Sequence, residues 1–170
     1  YTLSGTGSDN FAIDASGNIT LASALDYETA TSYELTVVVD DGTYASTEVI
    51  TVNVADVNEA PTLSAAVAFN AFQENTAIGT TIATSSVTDS DAGTISYSLS
   101  GTGSENFSVS SDGTVTLASA LDYETATSYE ITLTASDGDN TVSETLTINV
   151  GDINEAPTVT TTLAAGSVAE

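Results

Sequence analysis

The sequence predicts an all-β fold of tandem seven-stranded Greek-key β-sandwiches, and three observations carry that prediction. Apolar residues alternate with polar ones in short runs, the pattern of half-buried strands. Clusters of Gly, Asn, Asp and Ser separate those runs. The sequence also repeats itself without a gap at an offset of 96 residues: TLASALDYETATSYE stands at 20–34 and again at 116–130, YTLSGTGSDNF at 1–11 matches YSLSGTGSENF at 97–107, and DVNEAPT at 56–62 matches DINEAPT at 152–158. A unit of about 100 residues is the size of one β-sandwich. In this frame residues 1–61 form a partial domain lacking its first strands, 62–157 a complete one, and 158–170 the first strand of a third.

Within the complete copy the candidate strands follow in order at 67–73, 78–87, 94–99, 107–110 and 114–118. Next comes YEITLTAS, in which Tyr129, Ile131, Leu133 and Ala135 share one face and Glu130, Thr132 and Thr134 the other. The last strand, VSETLTINV, places Val142, Leu146, Ile148 and Val150 inward, with Glu144 the polar exception on that parity. This strand is expected to enter the core after an exposed start. SDG at 111–113 and at 136–138 reads as a turn. Tyr129 is either an anchoring tyrosine of the kind sandwiches use or an ordinary core residue.

Composition narrows the functions available. The chain holds 24 Asp and Glu and no Lys, Arg or His, for a net charge of −24. Its carboxylates therefore face water, accept hydrogen bonds, or hold a metal ion. Hydrophobic residues at 41% of the chain, in alternating runs, separate it from acidic disordered tails. Without Cys there is no disulfide, thiolate nucleophile or thiolate zinc site; without His or Lys there is no imidazole base and no Schiff base. The phosphates of nucleic acid and anionic lipid headgroups would be repelled, so neither is an expected partner and no membrane insertion is expected. No apolar run approaches the roughly 18 residues of a membrane span, and no signal peptide is visible.

Three acidic motifs fall in loops: LDYE at 25–28 and 121–124, DVNEAP at 56–61 with DINEAP at 152–157, and DSD at 89–91. A hard cation such as calcium takes six to eight oxygens, and Asp-x-Asp or Asp-x-Asn-Glu spacing lets alternate residues of an extended loop face one ion. Each motif alone is a weak signal, since an acidic loop is more often simply solvated than a metal site and Asp-Ser-Asp can close a turn. Placement favours the ion, because DVNEAP ends one repeat and its Pro starts the next.

LDYE, DxNEAP and DxD in this order, followed by a late ASDG, resemble the cadherin repeat, an immunoglobulin-like sandwich. Its calcium motifs are an LDRE-like loop, a DxNDNAP-like linker, DxD and a late Ala-x-Asp-Gly. The resemblance implies Ca2+ at the joint between repeats. At the first joint the implied ligands are Asp26, Glu28, Asp56, Asn58 and Glu59, the carbonyls of Val57 and Ala60, and Asp89, Asp91 and Asp137. At the second they begin with Glu74, Asp122, Glu124, Asp152, Asn154 and Glu155. Glu59 and Ala60, like Glu155 and Ala156, replace the Asp-Asn of the family linker, and Tyr27 and Tyr123 replace its basic residue.

The function implied is structural: calcium-rigidified extender repeats of a large secreted cell-surface adhesin that project a binding module from the cell. The absence of basic residues, with abundant Thr, Ser and Ala, points to a bacterial adhesin. Alternatively the domains themselves bind carbohydrate or a homophilic partner in a calcium-dependent way, with Tyr27, Tyr44 and Tyr123 the candidate aromatic contacts. An enzyme is not expected, since Asp122 and Glu124 have no evident cleft for glycosidase chemistry. Besides neighbouring repeats of the same chain, strand donation through residues 158–170 is a further partner mode to test.

Overall fold

Alternation of period two decides which side chains each strand buries, and the computed structural model, described for residues 1–91 and 93–159, shows where those faces meet. The chain divides into two compact units. The first comprises Tyr1–Thr62, Thr88–Thr94 and Asp137–Asn140; the second comprises Leu63–Val87, Ile95–Ser136 and the described residues from Thr141 on.

The first unit holds β1 (Thr2–Ser4), β2 (Phe11–Ile13), β3 (Ile19–Leu21), β4 (Ser32–Asp40) and β5 (Ala45–Asn53). Strands β1, β4 and β5 form an antiparallel sheet, and β2 pairs with β3 as a ribbon. Phe11, Tyr33 and Leu35 are its buried core, with the Phe11 and Tyr33 rings edge to face at 5.4 Å.

The second unit holds β6 (Thr62–Val67), β7 (Phe72–Gln73), β8 (Thr81–Thr88), β9 (Ser96–Ser100), β10 (Phe107–Val109), β11 (Val115–Leu117), β12 (Ser128–Ser136) and β13 (Thr141–Gly151). They pair in two four-stranded sheets of order β10-β11-β8-β6 and β7-β13-β12-β9. Ile82, Val115, Leu117, Ile131, Leu133 and Ile148 fill the space between with essentially no exposure, as the alternation predicts. The all-β sandwich architecture read from the sequence is what the structure contains.

Two details differ. The strand expected over 67–73 is two strands, β6 and β7, separated by a bend at 68–70. The bend carries the chain from one sheet to the other: β6 lies beside β8, whereas β7 runs parallel to β13, pairing Phe72 with Val150. Glu144 is the second. The strand does enter the core late, its first buried residue being Leu146, but Glu144 is not idle before it: its half-buried carboxylate accepts the backbone N–H of Ala65 at 2.7 Å. Ala65 lies on the edge strand β6, so the bond covers an edge donor that the ladder leaves unpaired.

Tyr129 packs as a core residue, its ring edge to face with Phe107 at 5.5 Å. Gly103, at φ 83°, lies so close that a Cβ there would stand 2.4 Å from the Tyr129 ring. The strand expected over 158–170 falls, from residue 160 on, outside the described residues.

Candidate metal centres

Both candidate centres are built from loops whose acidic side chains first organise their own backbone. In LDYE, Asp26 accepts the N–H groups of Glu28 and Thr29 at 3.0 and 3.2 Å and the Thr29 hydroxyl at 2.9 Å. Asp122 repeats the arrangement with the N–H and hydroxyl of Thr125 at 3.1 and 2.8 Å. The Thr hydroxyls, ahead of the backbone donors, hold both carboxyls below the ordinary Asp value. These loops are therefore shaped with the acids already charged.

In the first unit, carboxylate oxygens of Glu28, Glu59 and Asp91 converge within 4.8 Å of one another. Asp91 accepts the Glu59 N–H at 2.8 Å through Oδ2, and the Ser90 hydroxyl donates to Glu59 at 3.3 Å. Asp89 accepts the Asp91 N–H at 3.1 Å through one oxygen, while its other oxygen, Oδ2, is buried without a hydrogen-bond partner. Asp137 accepts the N–H groups of Asp139 and Asn140 at 2.8 and 2.6 Å, and its second oxygen takes the Asn58 amide at 3.0 Å. The Asn140 N–H, first among these donors, lowers the Asp137 carboxyl. Glu28 is pulled down most by its own N–H, but desolvation and repulsion from Glu59 and Asp56 together raise it overall. A cavity of about 320 Å³ opens beside this cluster, walled by Asp26, Tyr27, Glu28, Val57 and Glu59 among others.

In the second unit, Glu74 belongs to two triads, one with Asp122 and Glu124 and one with Asp152 and Glu155, each converging within 4.8 Å. Its carboxylate accepts the Tyr123 N–H at 2.8 Å and the Ile153 N–H at 2.6 Å, tying the LDYE loop to the linker. Those two donors, Tyr123 first and then Ile153, lower Glu74, while desolvation and then the facing Glu74 raise Glu155.

Of the residues expected as ligands, the structure brings together Glu28, Glu59 and Asp91 in one cluster and Glu74, Asp122, Glu124, Asp152 and Glu155 in the other. Asp26 lies outside the convergent set, occupied with its own turn. Asn58 reaches Asp137, and Asn154 donates to the Glu155 carbonyl at 3.4 Å. Asp56 stands near enough to repel Glu28, whereas no contact places Val57 or Ala60 by their carbonyls. Ser90 and Asn140 had no place in the sequence reading. Ser90 could have been found as the middle residue of DSD; Asn140, which donates to the Asn58 carbonyl at 3.4 Å, carried no signal.

The donor set fits a hard cation. Every candidate ligand offers oxygen, the oxygens converge from separate loops, no cationic side chain exists to neutralise them, and one Asp89 oxygen is buried without a partner. Calcium would neutralise this charge; the chain's part is to hold the carboxylates in place.

The cadherin domain model matches residues 1–55 and 70–151. Human Protocadherin Fat 4 is 39% identical over 134 residues, covering 74% of this chain and 3% of that protein. Among solved structures, extracellular cadherin domains 3–6 of protocadherin gamma B2 superpose with a TM-score of 0.75 at 28% identity, covering 91% of this chain and 39% of that one. Protocadherin gammaB7 EC3-6, described as a cis-dimer, gives 0.69 at 29% identity, covering 91% of this chain and 41% of that one. The chain thus spans a small part of the curated relative it matches.

Proposed function

The chain belongs to the cadherin domain family, and from that premise we propose that its acidic clusters bind calcium and that its repeats are extender segments of a large secreted adhesin, holding a binding module away from the cell. Cadherin repeats are extracellular modules of cell-surface proteins, and no helix among the described residues is long and apolar enough to cross a membrane. The observation that carries the reading is the convergence of Glu28, Glu59 and Asp91 in a chain without one cationic side chain. Uncompensated, such carboxylates drive their loops apart. A divalent ion replaces the repulsion with shared coordination and stiffens the loops that carry it.

Extracellular calcium modules bind at about 10⁻⁴ to 10⁻³ M, and an ion at about ten times its Kd adds about 1.4 kcal/mol to stability. Several such ions per repeat distinguish a loose chain in chelator from a stiff one outside the cell. A bacterial source is supported by composition alone, the lack of basic residues beside abundant Thr, Ser and Ala; the relatives named above are animal proteins. Thermal melting and small-angle scattering test the extender reading: millimolar calcium raises Tm and lengthens the particle relative to chelator. Identical curves in the two conditions overturn it.

A second reading is that the repeats themselves bind a partner. Tyr27 beside Asp26, Glu28 and Glu59 in the first cavity is suited to a calcium-bridged sugar, and the cis-dimer of protocadherin gammaB7 favours a second copy. Glycan-array binding and self-association of the purified chain separate the two.

A further inference from the structure

Two tripeptides of the chain have the form Asn-x-Ser/Thr with x other than Pro, Asn18-Ile19-Thr20 and Asn106-Phe107-Ser108. That form is the acceptor signature for a sugar on the asparagine amide, used on secreted chains where the tripeptide lies open on the surface. The two copies of the repeat share neither: Thr114 stands where the first copy has Asn18, and Ala12 where the second has Ser108.

Local structure separates the two tripeptides. Asn18 ends the turn between β2 and β3, exposed like Thr20, while Ile19 between them packs against the core of the first unit. Alternation along the strand thus puts the amide and the hydroxyl on one outward side. Thr20 pairs across the ribbon with Ala12, whose methyl offers its hydroxyl no hydrogen bond. The turn is held from both ends: Gly17, at φ 85°, donates its N–H to the Asp14 carbonyl at 3.0 Å, and the Asp14 N–H returns to the Asn18 carbonyl at 3.0 Å. The Asn18 side-chain amide donates one hydrogen to Asp14 at 2.8 Å. An amide nitrogen carries two, so the second lies outside that bond. The ring of Tyr1, 53% exposed, borders the turn, since a Cβ on Gly17 would stand 3.0 Å from it; it offers a sugar an apolar face one residue from the acceptor. Asn106 differs on each count. It is half-buried in a single 3₁₀ turn, Phe107 after it is buried, and the Ser108 hydroxyl is bonded to that of Thr116 at 2.9 Å.

We propose that Asn18 is a glycosylation site, taking an oligosaccharide from a polyprenyl-diphosphate donor as the chain is secreted. Asn18 Nδ2 attacks C1 of the first sugar; the N–C bond forms as the C1–O bond to phosphate breaks. The diphosphate leaves with that electron pair, and the amide gives up one proton to a base of the transferase. The product keeps one amide hydrogen, enough for the Asp14 bond that shapes the turn. Secretion is required but calcium is not, so the site stands or falls apart from the extender reading.

The test is the intact mass of the full chain secreted from yeast alongside a known N-glycoprotein that shows the host's transferase at work. The secreted chain is expected to be heavier by one oligosaccharide, which peptide-N-glycosidase removes, leaving heavy oxygen from labelled water at position 18 and at no other asparagine. Asn18→Gln abolishes the gain but also disturbs the Asp14 turn. Thr20→Ala leaves that turn intact and is expected to abolish the gain equally, with an unchanged circular dichroism spectrum, whereas Ser108→Ala changes nothing. An unmodified mass overturns the proposal. So does a gain that survives Thr20→Ala, a label on Asn106, or sugar that the glycosidase leaves in place and alkali releases from Ser or Thr.

Discussion

Asp91 accepts the backbone N–H of Glu59 at 2.8 Å, joining residues 32 apart in sequence and bringing both carboxylates into one cluster with Glu28. Two roles for Asp91 follow, and two substitutions separate them. Asp91→Asn keeps an oxygen for the Glu59 N–H but removes the charge. Asp91→Ala removes both. Calorimetry is expected to show calcium affinity falling about tenfold or more in either variant, since ligand charge sets affinity in such sites. Only Asp91→Ala should also lower Tm in chelator. Equal chelator Tm values for the two variants would deny the linker bond any structural role.

Glu74 presents the same duality in the second unit. Both of its oxygens hold backbone N–H groups, of Tyr123 and Ile153, and so fasten two loops that carry the other members of its triads. Glu74→Gln retains one acceptor oxygen and turns the other into a donor facing an N–H. Chelated protein with this change is expected to exchange the Tyr123 or Ile153 amide hydrogen faster, and calcium affinity at the second cluster should fall. Unchanged exchange at both amides would leave Glu74 as a ligand alone.

Much of this was legible in the sequence, for physical reasons that also explain the rest. Ile131, Leu133 and Ala135 declared their face because a strand's side chains alternate, and tertiary context did not override it. The acidic motifs were legible because a chain without cations leaves carboxylates few partners. The crossing at 68–70 was not, because VAFNAFQ is a plausible strand in isolation, and what places its end in the other sheet is a pairing of Phe72 with Val150, residues 78 apart, which spacing does not reveal. Nor could spacing show Glu144 capping Ala65, a bond between residues 79 apart. The same limit hid Glu74's grip on Ile153, which makes a candidate ligand also a brace.

The core offers a prediction with a magnitude. Ile131 is fully buried between the sheets, and Ile131→Ala is expected to destabilise the second unit by about 2–5 kcal/mol through lost burial and the cavity left behind. Val49, 52% exposed on β5, makes the contrast: Val49→Ala should change stability by no more than about 0.5 kcal/mol. Urea unfolding of both variants checks the pair. Similar costs at the two sites would contradict the packing described here.

Acid should unfold the first unit partly through a residue remote from the metal clusters. Asp14 closes the turn between β2 and β3, accepting the Asn18 amide at 2.8 Å and the N–H groups of Asn18 and Ser16 at 2.9 and 2.8 Å. The Asn18 amide, then these backbone donors, hold its carboxyl below the ordinary value of 3.8. A carboxyl depressed in the folded state stabilises that state when ionised. This contribution is complete above the unfolded value and is lost as pH falls through the folded one. Asp14→Asn removes the charge but not the possibility of a turn, so the variant should melt below the native chain at neutral pH in chelator. As pH is lowered past 3.8 the two Tm values should converge, because the native carboxyl is then protonated as well. Repulsion among the remaining acids is relieved almost equally in both proteins and largely cancels in the comparison. A gap that stays constant from neutral pH to pH about 2 would mean that Asp14 stabilises the turn by shape rather than by charge.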